Sequence, residues 1–419
     1  MTAQTEISFR PMAPATATIE DLLDKARALR GTLRAQQAEA EARTYPSREI
    51  YEAFLDAGFF RAMTPKVYGG YEMSLRDFYR LVMEIAKGCP STAWWFCLGA
   101  HHAVNVSSYF PKSAQDRIFA DTPDFSAPWS FNGVNLSWTK VEGGWRVSGT
   151  WMFSSGIPHS TWFMGGGPLP DDALPAGATA WEAPMISLIV PKGQYEMLND
   201  WGSILGMKAS GSHSGRLTDV FVPDDMVLIM DRSKPIDGKT PGGAAYGNPL
   251  YNGLMNGFVE GGLAAMAVGC AYAAIDAYVE TITKRPVGKG GASAPSRASN
   301  VHYQRPLLQA LTVADATRNM VLEGAETYRL FAQEAMTGKA PFSLERGMRM
   351  DGVYQLAEKM IWEMIADLCR NAGSGALRDG QMLQRYYRDI TTLCTRTGQA
   401  DHRTELTVGE YFRNRGIAV

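Results

Sequence analysis

Residues 253–278 constrain the fold of this chain more than any other stretch. They read GLMNGFVEGGLAAMAVGCAYAAIDAY, rich in Ala, Gly and Met, with charge only at Glu260 and Asp276. A helix that is apolar nearly all round has no face to turn to water, so other elements must enclose it. The two charges interrupt the run before it reaches the length of a bilayer span. The chain therefore needs a large helical unit built around this segment.

With 419 residues, 45% of them hydrophobic and 20% charged, there is ample material for that unit. Chains beyond roughly 250–300 residues divide into domains or layers. Up to about residue 121 the pattern is helical. Residues 19–43 are good helix formers. Ser47 caps a helix that Gly58 ends, Gly69-Gly70 makes a turn, and helices follow over 75–87 and 91–109. Residues 125–229 change character: WRVSGTWMFSS, MISLIVP and LTDVFVPDDMVLI are β-branched, aromatic and partly alternating, which predicts antiparallel strands in a sandwich or barrel. Residues 168–184 read as an exposed hairpin loop. From about 248 long helices return, over 257–283, 303–336 and 343–372, with a shorter one over 381–395. A Gly/Pro/Ser-rich loop over 286–299 separates the first two; its composition suits a segment that is mobile or ordered by a partner.

Composition also excludes functions. A net charge of −2 with dispersed basic residues gives no electrostatic footprint for nucleic acid. The five cysteines are scattered without a CxxC pair, so neither a metal site nor a disulfide framework is expected, and they suit a reducing cytoplasm. The N-terminus lacks the apolar region of a signal peptide.

Several strings, in one order along nearly the whole chain, resemble the acyl-CoA dehydrogenase superfamily. They are FFRAMTPKVYGGYEMS, WRVSGTWMFSSGIPHSTWF, WGSILGMKASGSHSGRLTDVFVP, NAGSGAL and LQRYYRDI. GCPSTAW, LGAHHAV and FSSGIPHSTW resemble its monooxygenase branch, the oxygenase components fed reduced flavin by a separate reductase. That branch includes p-hydroxyphenylacetate hydroxylase oxygenases and dibenzothiophene monooxygenases. The resemblance implies an α+β fold in three parts: an N-terminal helical domain (1–121), a central antiparallel β-sandwich or barrel (122–235) and a C-terminal four-helix bundle (236–419). It implies reduced FMN or FAD, dioxygen as co-substrate, a C4a-(hydro)peroxyflavin, and a small aromatic or heteroatom-containing substrate. It further implies a separate NAD(P)H flavin reductase, a homotetramer in the cytoplasm, and no association with nucleic acid or membrane. The absence of a convincing GxGxxG after a strand agrees with an external reductase.

The same resemblance assigns residues. Ser155 matches the serine near flavin N5, with Ser154 the fallback; Trp151 and Phe153 would wall the ring. Gly211 and Ser212 match a turn beside the flavin. Arg285 and Gln304 match an arginine–glutamine pair that holds flavin phosphate, and Gly373, Ser374 and Gly375 a turn that reaches the flavin of a neighbouring subunit. His101 matches a substrate-facing histidine; His159 is a second candidate, and Trp95 belongs to an aromatic-rich substrate cavity. For most of these a plainer role, in strand, turn or core, stands beside the functional one. Arg396 occupies the place where phenol-hydroxylating members carry a histidine. Arginine cannot act as a base at neutral pH. Either the reaction needs no deprotonation there, or Arg396 binds a substrate anion, or it faces away from the site. The alternative activity, an FAD-dependent acyl-CoA dehydrogenase, needs a carboxylate base. Thr397 stands where that residue is expected, and Glu260 lies near the other place for it.

Overall fold

Local signals set the helix ends. Thr18 and Asp21 form a reciprocal capping box that starts α1 (Ile19–Ala35). The helix expected to run on to residue 43 breaks at Gln36, and α2 (Gln37–Arg43) follows. Ser47 accepts the Ile50 N–H at the start of α3 (Arg48–Ala57), and Gly58, at φ 81°, ends it. Ser74 caps α4 (Leu75–Gly88). The single helix expected over 91–109 is two, α5 (Pro90–Ala100) and α6 (His102–Tyr109), divided at His101; α7 (Lys112–Ile118) completes the helical N-terminal part. This computed structural model describes residues 16–169, 184–230, 237–255, 257–288, 294–395 and 400–417, without the side chains of 400–406. The loop predicted over 168–184 therefore lies almost wholly outside the described residues, as does the middle of the one over 286–299.

Among the described residues eight strands follow: β1 (Trp129–Ser130), β2 (Gly133–Val141), β3 (Gly144–Trp151), β4 (Trp162–Pro168), β5 (Met185–Pro191), β6 (Glu196–Met197), β7 (Gly215–Pro223) and β8 (Val227–Met230). They form two four-stranded sheets, ordered β1-β4-β5-β8 and β2-β3-β7-β6. The pairing is antiparallel with one exception: β1 lies parallel to β4. A parallel neighbour needs a long crossover, and β2 and β3 in the other sheet supply it.

The described residues after β8 carry the helices α8 (Pro241–Tyr246), α9 (Val259–Lys284), α10 (Val301–Met336), α11 (Leu344–Ala372), α12 (Met382–Cys394) and α13 (Ala400–Arg413). Helices α9 to α12 pack as a four-helix bundle. Among the described residues α9 alone is long and apolar enough to cross a membrane by length and composition, and 83% of its apolar window is buried inside the protein.

Glycines let α9 sit that deep. A Cβ at Gly269 would overlap the Met83 carbonyl and the Ala86 methyl of α4. One at Gly261 would overlap the Tyr79 hydroxyl, and one at Gly262 would crowd Cys97 of α5. Tyr79 in turn donates to the Phe258 carbonyl at 2.7 Å, fixing the start of α9. In an exposed helix Gly→Ala stabilises by about 1 kcal/mol. At Gly269 the clash is with backbone, which cannot move aside, and overpacking costs about 1–3 kcal/mol. Gly269→Ala should therefore lower the thermal midpoint, read by calorimetry, rather than raise it.

Candidate active site

Three regions of the chain meet at a cavity of about 520 Å³. From α5 come Trp94 and Leu98, and from the first turn of α9 come Glu260 and Leu263. The β layer contributes Trp129, Asn132, Phe153 and Ser155. A loop between β6 and β7 contributes Trp201, Ile204, Met207, Ser210 and Ser212. The end of α12 and the residue after it close the cavity with Thr392, Leu393 and Thr395. Glu260 is the only ionisable side chain among the described lining residues.

The polar centre of this cavity is a row of three hydroxyls. The β3–β7 ladder ends with Trp151 opposite Gly215, but the chains stay together beyond it: the Ser154 N–H donates to the His213 carbonyl at 3.1 Å. A tight turn then carries Phe153 at φ 56° and Gly156 at φ 93°. Gly156 lies against the backbone of Trp95 and Gly99, so the turn docks on α5. The result puts Ser155 Oγ 2.6 Å from Ser212 Oγ, which lies 2.7 Å from Ser210 Oγ. All three serines are buried.

His213 holds the loop behind this row. Its Nδ1 accepts the N–H groups of Asp200 (3.2 Å) and Trp201 (3.0 Å). Nε2 must then carry the proton, and it donates to Thr44 Oγ1 at 2.8 Å. Burial keeps this imidazole neutral by lowering its pKa, against the pull of Asp200. Trp201 is thereby set edge-on to Phe153, with ring centroids 6.1 Å apart. Phe153 itself is 55% exposed, so it covers the cavity rather than filling the core.

The residues singled out from the sequence distribute unevenly around this geometry. Ser155, Phe153 and Ser212 line the cavity, and Gly211 (φ 60°) forms the turn before Ser212. Trp151 is fully buried in the sheet with its indole N–H on the Gly166 carbonyl, and Ser154 donates to the Trp151 carbonyl. Trp94, not Trp95, faces the cavity. One residue is about 100° of helix, and that rotation buries Trp95 against Tyr51, Phe60 and His159.

His101 stands one layer behind the wall. It touches Phe258 and His102, with Nδ1 3.6 Å from Cys97 Sγ, and is not among the lining residues. Burial and the neighbouring His102 push its pKa well down. His159 stacks on Tyr51 at 4.9 Å, and its Nε2 bonds the Pro46 carbonyl at 3.2 Å, joining the N-terminal helices to the β layer.

Arg285 and Gly375 do come together, but at the far end of α9. A Cβ on Gly375 would lie 2.9 Å from Arg285 Nη1, and Gln304 donates to the Ala298 carbonyl. At 1.5 Å per residue this cluster is roughly 35–40 Å from Glu260 along the helix. Arg396 and Thr397 lie outside the described residues.

The lining residues missed from the sequence include Trp94, Leu98, Asn132, Ser210 and Thr392. The i, i+4 spacing of Trp94 and Leu98 within the GCPSTAW…LGAHH stretch was a usable signal; nothing local marks the others.

Sequence profiles of known families agree with this architecture. Residues 16–117 match "Acyl-CoA dehydrogenase, N-terminal domain" and residues 261–399 match "Acyl-CoA dehydrogenase, C-terminal domain". The chain is 29% identical over 364 residues to the flavin-dependent monooxygenase oxygenase subunit HsaA of Rhodococcus jostii, covering 86% of this chain and 90% of that one. It is 27% identical over 361 residues to the oxygenase component of the FADH(2)-dependent resorcinol hydroxylase of a Rhizobium species, covering 86% and 85%. The crystal structure of 3-HSA hydroxylase from Rhodococcus sp. RHA1 superposes with a TM-score of 0.79 at 25% identity, over 95% of this chain and 98% of that one. The chain belongs to the acyl-CoA dehydrogenase superfamily. Within it, this is an enzyme of the two-component flavin-dependent monooxygenase type, an oxygenase component that uses reduced flavin and dioxygen. The dehydrogenase alternative gains no support from these relatives.

Burial lowers the pKa of both His102 and His159 to about 4, below the roughly 6.5 of the unfolded chain. Their contribution to stability is present above pH 6.5 and is lost as pH falls through about 4. The thermal midpoint should therefore fall as pH is lowered across that window. His159→Gln, which retains a donor for Pro46, should flatten part of the fall.

Proposed function

We propose that the 520 Å³ cavity is where reduced flavin and a small aromatic substrate meet, with Ser155 the residue that touches the flavin's reactive edge. The observation that carries this reading is the row Ser155–Ser212–Ser210, three buried hydroxyls in a cavity otherwise walled mainly by aromatic and aliphatic groups. Its size and mixture suit a cofactor-sized planar ligand. Ser155, Ser210 and Ser212 would hydrogen-bond the ring, and Phe153 and Trp201 would cover it. The bound reduced flavin supplies the electrons and the activation of dioxygen.

What the chain contributes is enclosure and orientation. Trp94, Leu98, Leu263 and Leu393 exclude water from the reacting atoms. The Ser155 hydroxyl, held by Ser212, can donate or accept a hydrogen bond with little reorganisation. Asn132 and Thr392 offer polar contacts to a substrate hydroxyl or ring nitrogen, and Glu260 offers a carboxylate. One relative is named for resorcinol, a small phenol, and a phenol or indole-type ring fits aromatic walls of this kind. His101, neutral behind Gly262 and beside Phe258, is read as orienting the substrate wall, and His159 as structural. Arg396 is kept as a candidate for binding a substrate anion.

Arg285, Gln304, Gly373, Ser374 and Gly375 are read as the grip on a neighbouring subunit's flavin phosphate. Their distance from the chain's own cavity supports that reading, as do the exposed Val301, Leu308 and Leu311 on α10 and Leu356 on α11. The proposed assembly is a homotetramer in the cytoplasm, with three-part domains near 1–121, 122–235 and 236–419. It works with a separate NAD(P)H flavin reductase and binds neither nucleic acid nor membrane.

The test is stopped-flow mixing of the anaerobic protein with reduced FMN or FAD, then oxygen. A transient near-ultraviolet absorbance that outlasts free flavin is expected. Oxidation as fast as in free solution would sink the reading. Ser155→Ala should shorten the transient by a few-fold to tenfold, the range of a net hydrogen bond worth about 0.5–1.5 kcal/mol.

A further inference from the structure

The loop that supplies five lining residues is not held by the β layer alone. Three consecutive residues in it, Leu205, Gly206 and Met207, are gripped through their backbone by α12. The Arg388 guanidinium donates to the Leu205 carbonyl at 2.8 Å. The Gly206 N–H donates to Thr392 Oγ1 at 2.8 Å. The Met207 N–H donates to Asp389 Oδ1 at 2.6 Å. Gly206 presses so close to the Arg388 carbonyl that no Cβ fits. Met207 takes φ 53°, a conformation rare for a side-chain-bearing residue, and its carbonyl receives the Trp201 indole N–H at 3.1 Å. Behind the grip, Glu41 of α2 pairs with Arg385 (2.9 Å) and Arg388 (3.1 Å), fixing α12 in rotation.

We infer that Asp389, with Arg388 and Thr392, is the positioning group of the cavity: it sets the cavity's depth and shape by holding the Leu205–Met207 backbone in its strained course. Asp389 is buried and does not line the cavity, so its effect passes through Met207 and Trp201. The inference rests on the reading that this cavity holds flavin. Burial raises the Asp389 carboxyl to about 7, aided by Glu41 and opposed by the Met207 N–H, Arg388 and Arg385; the thiols of Cys89 and Cys270 also face it. A carboxyl raised in the fold contributes stability below its unfolded value of roughly 4, and that contribution is lost as pH rises through about 7.

The test uses the full chain and three variants. Asp389→Ala removes the acceptor, Asp389→Asn keeps it without titrating, and Thr392→Val removes the neighbouring acceptor more gently. Amide hydrogen exchange over residues 204–208 should quicken about tenfold or more in the Ala and Val variants, while Asp389→Asn stays near wild type at pH 6. Anaerobic titration with reduced FAD and reduced FMN should show affinity weakened about tenfold in Asp389→Ala and largely restored in Asp389→Asn. The thermal midpoint of wild type should lose ground to Asp389→Asn as pH is raised through about 7. Unchanged exchange in both Asp389→Ala and Thr392→Val overturns the positioning role, as does equal impairment of the Asn and Ala variants at pH 6. Quickened exchange in a protein whose wild type binds neither flavin upholds the grip and overturns the assignment of the cavity.

Discussion

The close approach of α9 to α4 and α5 is the contact on which the rest depends. It joins the helical N-terminal part to the C-terminal bundle, with Gly269 against the Met83 backbone and Gly261 and Gly262 against the Tyr79 and Cys97 side chains. Dispersion and burial act fully only when surfaces meet without gaps. A helix with side chains at those positions would stand farther off and open the layer in which Trp94, Leu98 and Leu263 converge. The cavity is in this sense a product of helix packing, even though its polar groups come from the β layer.

Those polar groups show a second constraint, the cost of leaving buried hydroxyls and amides without partners. Ser155, Ser212 and Ser210 satisfy one another in series. The turn that brings them together uses a positive φ at Phe153, which is costly for an aromatic residue. His213 offsets the exposed ends of the next loop by accepting two N–H groups. Each solution is local, and together they leave a largely apolar-walled hollow with a few oriented donors and acceptors. That combination is what oxygen chemistry on a reduced cofactor requires of its protein.

Much of the fold was legible in the chain. The apolar segment 253–278 announced the central helix, Ser47 and Gly58 bounded α3, and the alternation after residue 125 marked the strands. Breaks at Gln36 and His101 were not legible, because both lie in stretches with uniformly good helix pattern. The parallel β1–β4 pairing was hidden as well, since two-residue strands carry no periodicity. Of the site, motif strings pointed to Ser155, Phe153 and Ser212, all of which line the cavity. Trp94 and Trp95 could not be told apart before the rotation of α5 was known. Thr392 and Leu393 enter from a helix nearly 200 residues after β7's loop, a juxtaposition no local pattern encodes.

The grip of α12 on Leu205–Met207 uses only backbone N–H and C=O groups of the loop. It therefore makes no demand on the side chain at Leu205, whereas position 206 must stay without a Cβ and position 207 must accept φ 53°. Ile204 lines the cavity from the edge of the grip without taking part in it, so its side chain can change while the main chain keeps its course. The Ser155–Ser212–Ser210 row and the helical walls would stay in place as the hollow changed contour. The molecule thus separates a fixed main-chain course from a lining side chain free to vary, so the contour of the hollow can be adjusted at position 204 without disturbing its frame.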